Sequence, residues 1–145
     1  MTAVHPTTLT DQPLRETRAA TVVRRVVQAD AAVTAVGGIV VLAAAEPVAD
    51  LLGLATTGPV LAVGAVFVAL SLVLALLGRA DARSMLRLVP INAAGDLVWA
   101  AASIGVAALA ELSGTGRALI AVQAVVVLAV GEAKLITVRR ARSLL

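Results

Sequence analysis

The chain has 145 residues, 60% of them hydrophobic and only 14% charged, with a mean hydropathy of +0.99. A soluble domain carries about 45–50% apolar and about 25% charged residues, so most of this chain is not built to face water. The absence of cysteine excludes disulfides, thiolate metal sites and iron–sulfur ligation, and the single histidine, His5, lies in the tail, which excludes histidine-ligated haem or zinc within the apolar segments.

The net charge is +3, and no aromatic residues are interleaved with the basic ones, Phe67 and Trp99 being the whole aromatic set. Nucleic acid is therefore not an expected partner. No metal and no cofactor is expected.

Residues 1–22 read as a cytoplasmic tail, Thr-rich and disordered at first. Asp11 and Pro13 are placed to start a helix that carries Leu14, Arg15, Arg18 and Val22 along the headgroups. A simple solvated basic flank is the alternative. Residues 23–145 hold four apolar segments, at about 26–45, 59–77, 88–110 and 118–138. Each suits a hydrocarbon core of about 30 Å at 1.5 Å per residue, and in lipid such segments must be helices. Glu46-Pro47 breaks the first run, and the following "VADLLGL" (48–54) predicts a short interfacial helix. Pro90 is expected in the first turn of the third helix, where a missing N–H costs little.

The fold class expected is all-α, a polytopic four-helix bundle. Arg15, Arg18, Arg24 and Arg25 precede the first helix, Arg79, Arg83 and Arg87 join the second and third, and Lys134, Arg139, Arg140 and Arg142 close the chain. Only Arg117 falls in the other loops, so eleven basic residues oppose one. The basic side is the cytoplasmic one, which predicts a multi-pass protein of the cytoplasmic (inner) membrane with both termini inside. Ala43-Ala44-Ala45 also has the form of a signal cleavage site, and Arg24-Arg25 that of a twin-arginine pair. The apolar run is long for a signal, and an uncleaved helix gives an even number of spans, so retention is expected.

An internal repeat is suggested by "ARSML" (82–86) against "ARSLL" (141–145), and by "GPVLAVGAVFVAL" (58–70) against "GRALIAVQAVVVL" (116–128). It predicts two parallel-related helical hairpins, with Asp30 and Asn92 at equivalent positions. Segments rich in Ala, Val and Leu always align to some extent, which is the plainer explanation.

The stretch "INAAGDLVWAAAS" (91–103) carries Asn92, Asp96, Trp99 and Ser103 at helical spacing, one polar stripe on the third helix. Asp96 lies on the order of 10 Å inside the basic boundary. Facing lipid there would cost at least about 2.5–3.5 kcal/mol, so it must face the bundle, a cavity or a partner. Asp30, Thr34 and Gly37/Gly38 make a matching stripe on the first helix, and Gln123, Val127, Val130 and Lys134 share a face of the fourth. Asp30 is near enough to pair with Arg24 or Arg25. Glu132 and Lys134 are long enough to snorkel to the headgroups. Glu46, Asp50 and Glu111 read as residues of the opposite interface, and Trp99, too deep for an aromatic belt, as core or cavity wall. Thr34/Gly38 and Ala101/Gly105 are small pairs four apart that permit close helix contact.

"ADAAVTAVGGIVVLAAAEPVADLLGL" (29–54) with "GDLVWAAAS" (95–103) resembles a group of small, largely uncharacterised bacterial four-helix membrane proteins with an Asp-Leu-x-Trp stretch in the third helix. The resemblance covers most of residues 26–140 and implies the four-helix fold and a role for Asp96 and Trp99. It implies no reaction. Small multidrug transporters share the size and helix count, but the aromatic lining of a cation site is missing here.

Three functions stay open. The first is a non-enzymatic membrane protein acting as a homo-oligomer or as an accessory subunit of another membrane protein, in which Asp96→Asn is tolerated. The second is a proton- or cation-coupled transporter or channel, with Asp30, Asn92, Asp96, Trp99 and Ser103 as ion- or ligand-binding candidates and Asp96 titrating. The third is an intramembrane enzyme on an apolar small molecule such as an isoprenoid or lipid, with Asp96 as general acid and Asn92 orienting it.

Overall fold

The computed structural model describes residues 12–142, and every regular element among them is an α-helix. In chain order these are α1 (Gln12–Ala43), α2 (Ala45–Leu52), α3 (Gly58–Leu77), α4 (Ala82–Leu109) and α5 (Gly114–Arg142). Four helices are long and apolar enough to cross a membrane, over Ala20–Ala43, Gly58–Leu77, Arg83–Leu109 and Gly114–Arg142. They match the four expected segments, and the first, third and fourth reach further toward their basic ends. Asp11 and the start of the tail lie outside the described residues.

Local chemistry sets the ends. α2 stops at Gly53, whose φ of 76° lies in the left-handed region. Its N–H donates to the Asp50 carbonyl at 3.0 Å and the Leu54 N–H to the Ala49 carbonyl at 2.9 Å, the paired bonds of a glycine helix stop. A Cβ at Gly53 would also stand 2.9 Å from the Ser113 nitrogen. α3 has a proline in its first turn. α4 starts at Asp81, whose side chain accepts from the Ser84 backbone N–H at 2.9 Å and from the Ser84 hydroxyl at 2.8 Å. α5 starts after Ser113, whose hydroxyl oxygen accepts from the Gly116 N–H at 2.8 Å.

The Asp81 cap moves the start of α4 back, so Pro90 sits inside the helix and not in its first turn. A proline there cannot donate to the carbonyl four residues back, which is that of Leu86. Arg142 at the end of α5 donates its Nη2 to that carbonyl at 2.6 Å. The backbone acceptor freed by Pro90 is thus occupied by a guanidinium from the next helix.

α1 packs along α3 and α4 along α5. The two hairpins meet mainly through α1 against α5, and to a smaller extent α1 against α4, while α3 and α4 scarcely touch although they are consecutive. Glycines permit the close approach within the first hairpin. A Cβ at Gly38 would stand 3.0 Å from the Val68 nitrogen, and one at Gly64 2.7 Å from Leu42 Cγ. Gly105, expected to serve the same purpose on α4, has open space around it instead, and Ala101 is exposed. That small pair faces outward because α4 meets α5 through its Ala93/Asp96/Ala100 face.

The alternating spans bring the start of α1, the α3–α4 turn and the end of α5 to one end, where the arginines collect. There Arg24 donates to the Ala80 carbonyl at 3.1 Å. The largest apolar cluster lies just beneath, formed by Val23, Val27, Ala31, Leu74, Met85, Val89, Val138 and Ala141 from all four spans. At the opposite end, Ser113 donates from its N–H to the Leu52 carbonyl at 2.9 Å and from its hydroxyl to the Leu51 carbonyl at 2.5 Å. That joins the end of α2 to the start of α5.

Candidate functional site

One turn below the apolar plug, four polar side chains from three helices converge. Asp30 follows Val27 on α1, Asn92 follows Val89 on α4, and Lys134 precedes Val138 on α5, each by three or four residues. Lys134 is the centre. It is 0% exposed, the largest of the fully buried side chains. Its Nζ donates to Asn92 Oδ1 at 2.7 Å and to Asp96 Oδ2 at 2.6 Å. Asp30 Oδ2 stands 2.5 Å from the same nitrogen, as a charge contact outside hydrogen-bond angles. An ammonium has three protons and no acceptor, so three oxygens are what it can use.

The backbone makes this approach possible at Gly131, three residues before Lys134. A Cβ there would stand 3.1 Å from Asp96 Cβ and 3.4 Å from the Ala93 carbonyl oxygen. A side chain at 131 would press on Asp96, so the glycine lets α5 lie close against the acid that accepts from Lys134.

The structure therefore brings together Asp30, Asn92 and Asp96, and adds Lys134. Two expectations are corrected. Lys134 does not snorkel to the headgroups, because two carboxylates in the bundle hold it inward. Asp30 pairs with Lys134 and not with Arg24, whose guanidinium is turned to the α3–α4 turn. The basic flank thereby loses one member. Glu132, on the other side of α5, is exposed. The signal for Lys134 was present in the sequence: it is the only lysine, it shares a helix face with Gln123, and two deep acids need a cation.

Trp99 and Ser103 continue the stripe but do not join the cluster. Trp99 packs its ring against Phe67 of α3, centroids 5.2 Å apart and planes tilted by 58°. Ser103 is buried further along α4. Trp99 Nε1 and Gln123 Nε2 are buried without a hydrogen-bond partner among the described residues. Glu46, Asp50 and Glu111 are exposed near the opposite end, as expected. The described residues contain no group of His, Cys, Asp and Glu able to hold a metal ion.

The cluster has two carboxylates, one ammonium and one amide, a formal charge of −1 when all ionise. Val27, Val89 and Val138 separate it from the arginine-rich end. Asn92 alone also reaches an outward space, a cleft of about 430 Å³ between α3 and α4 with aliphatic walls. No protein-family model, no curated protein and no solved structure matches this chain.

Proposed function

We propose that this chain is a small, non-enzymatic protein of the bacterial cytoplasmic membrane, with both termini cytoplasmic, which acts by assembling with a second copy or with a partner membrane protein. In this reading the Asp30–Asn92–Asp96–Lys134 cluster is the internal lock that docks the two hairpins in one register. The observation that carries it is the complete enclosure of Lys134 by acceptors from α1 and α4. A lock needs donors and acceptors matched and water kept out; a conducting site needs an aqueous approach, and the apolar plug stands across the nearest one. The outward face of α4, with open space at Gly95 and Gly105, is the kind of surface against which another helix can pack closely.

Replacing one partner of a buried ion pair costs about 3–5 kcal/mol, whereas replacing the whole group by apolar residues of similar size is often neutral or stabilising. The test is the thermal stability and oligomeric state of purified Lys134→Met beside the triple variant Asp30→Leu/Asp96→Leu/Lys134→Met. A lock predicts that Lys134→Met is strongly destabilised, that the triple variant recovers most of the loss, and that Asp96→Asn keeps fold and assembly. Equal damage in the single and triple variants would reject it.

A second reading, a proton- or cation-coupled transporter, is favoured by one observation: two carboxylates face a single ammonium. A bound proton or cation would neutralise the excess. Proteoliposomes loaded with a pH-sensitive dye separate the readings. Ion flux that Asp96→Asn abolishes, in a variant that remains folded, supports transport; vesicles that stay tight support the lock.

A further inference from the structure

α3 and α4 are joined by the turn at the arginine-rich end, and deeper in the bundle Phe67 and Trp99 pack across the gap between them with their planes tilted by 58°. The cleft above the aromatic pair is about 430 Å³ and is bounded by Val73, Leu76 and Leu77 on α3 and by Leu88, Ile91 and Asn92 on α4. That size lies in the range of about 300–1,000 Å³ typical of small-ligand sites. Val73, Leu76, Leu88 and Ile91 are exposed, so the cleft opens sideways into the lipid phase.

Its mouth is basic. Arg83, Arg87 and Ile91 recur every four residues, so two arginines stand one and two turns above a cleft-lining residue on the same face of α4. Arg79 lies in the turn that bridges the two helices over the cleft. All three are exposed and none of their guanidinium groups forms a hydrogen bond or ion pair among the described residues, unlike Arg24 and Arg142, whose guanidinium groups are committed to carbonyls. The one acid in the same turn, Asp81, is occupied by Ser84.

We infer that this cleft is a binding site for an anionic phospholipid, with an acyl chain between α3 and α4 and the phosphate on Arg79, Arg83 and Arg87. The chemistry of the two halves matches that occupant: an apolar slot at acyl-chain depth, and uncommitted guanidinium groups, which bind phosphate in a fork geometry, at headgroup depth. A helix from a second copy fits the charge less well. Copies in one membrane share an orientation, so its own arginines would arrive at the same level and repel these. Asn92 lines the cleft and also accepts from Lys134, so the lipid lies against the edge of the ion cluster. The inference needs only the membrane placement, not the lock.

The test is native mass spectrometry of the delipidated full chain, titrated with phosphatidylglycerol or phosphatidylcholine of matched chain length. The expected preference for phosphatidylglycerol is roughly tenfold. It should vanish in Arg83→Gln/Arg87→Gln and persist in Arg117→Gln at the other end. Ile91→Trp, or Leu77→Trp should the first fail to fold, fills the slot and should remove binding of both lipids. Soluble glycerol phosphate should not compete. Equal binding of the two lipids, an equal loss in Arg117→Gln, undiminished binding in both tryptophan variants, or displacement by glycerol phosphate would each overturn the site. So would a tryptophan variant that loses a dimer and keeps its lipid.

Discussion

Gln123 and Trp99 differ from Lys134 in how their polar atoms are answered. Lys134 has hydrogen-bond acceptors in Asn92 and Asp96 and a charge contact with Asp30, while Gln123 Nε2 and Trp99 Nε1 are buried with no partner among the described residues. An unmet buried donor carries a desolvation cost of about 1–3 kcal/mol, which a leucine of similar volume does not have. Gln123→Leu is therefore expected to raise thermal stability, by about 1 kcal/mol, in the purified monomeric protein. A clear loss of stability, read in a melting curve, would mean that the amide is bonded to something the single chain does not supply. Sequence periodicity put Gln123 and Lys134 on one face of the fourth span and Trp99 at the core or a cavity wall, but it read Lys134 as reaching the headgroups. It did not distinguish the satisfied member from the two unsatisfied ones, because satisfaction depends on which atom of another helix arrives within 3 Å. Spacing within one helix carries no information about that.

Helix ends and interruptions were partly legible. The short α2 was expected after Glu46-Pro47, but the break falls at Ala44 and both residues lie in the first turn of α2, which the glycine at Gly53 stops. The start of α4 was misplaced because the apolar run begins at Leu88, whereas the helix begins six residues earlier at the Asp81–Ser84 cap. Local hydrogen bonding, not hydropathy, sets that boundary. Two predictions belong here. The bonds from the Ser84 backbone N–H, first, and from its hydroxyl hold the Asp81 carboxyl below its ordinary value of 3.8. A carboxylate whose folded pKa is depressed lends stability above its unfolded pKa and loses it as pH falls through the folded one. The melting temperature of wild type relative to Asp81→Ala should thus be higher at neutral pH, and the difference should shrink below about pH 4. A difference that does not change with pH would remove the charged cap from the account. The second concerns Pro90. Arg142→Gln should cost about 1–3 kcal/mol, since it unpairs the Leu86 carbonyl from a charged donor. In a Pro90→Ala background the new N–H can take that carbonyl itself, so the cost of Arg142→Gln should fall. A double-mutant cycle with no coupling would show that the guanidinium does not compensate for the proline.

At the scale of the molecule, the two hairpins join in two layers: an apolar plug at the arginine-rich end and, beneath it, an ion cluster contributed by both hairpins. The four spans and their polar stripes were readable because length, hydropathy and helical spacing are local. The pairing of α1 with α3 and of α4 with α5, which leaves the α3–α4 cleft open, was only hinted at by the repeat. It depends on glycines at Gly38, Gly64 and Gly131 that admit a neighbour and on others, such as Gly105, that do not meet one. Lys134 shows how the levels interact. It counted as part of the basic flank, yet it is neutralised inside the bundle, so the charge asymmetry that orients the protein rests on the arginines. Those still stand at one end, apart from Arg117. With basic residues retained on the cytoplasmic side, that end should face inward. The chain has no cysteine, so single substitutions report without background. Ala55→Cys, exposed between α2 and α3, should react with a membrane-impermeant maleimide on intact cells, and Arg79→Cys only after the membrane is opened. Lys134→Met should leave that pattern unchanged, because its charge is already cancelled by Asp30 and Asp96 in the folded bundle. If Lys134→Met instead mixes the two labelling patterns, the lysine acts as an orienting charge during insertion, before the acids capture it, and the cluster forms only after the spans have taken their places.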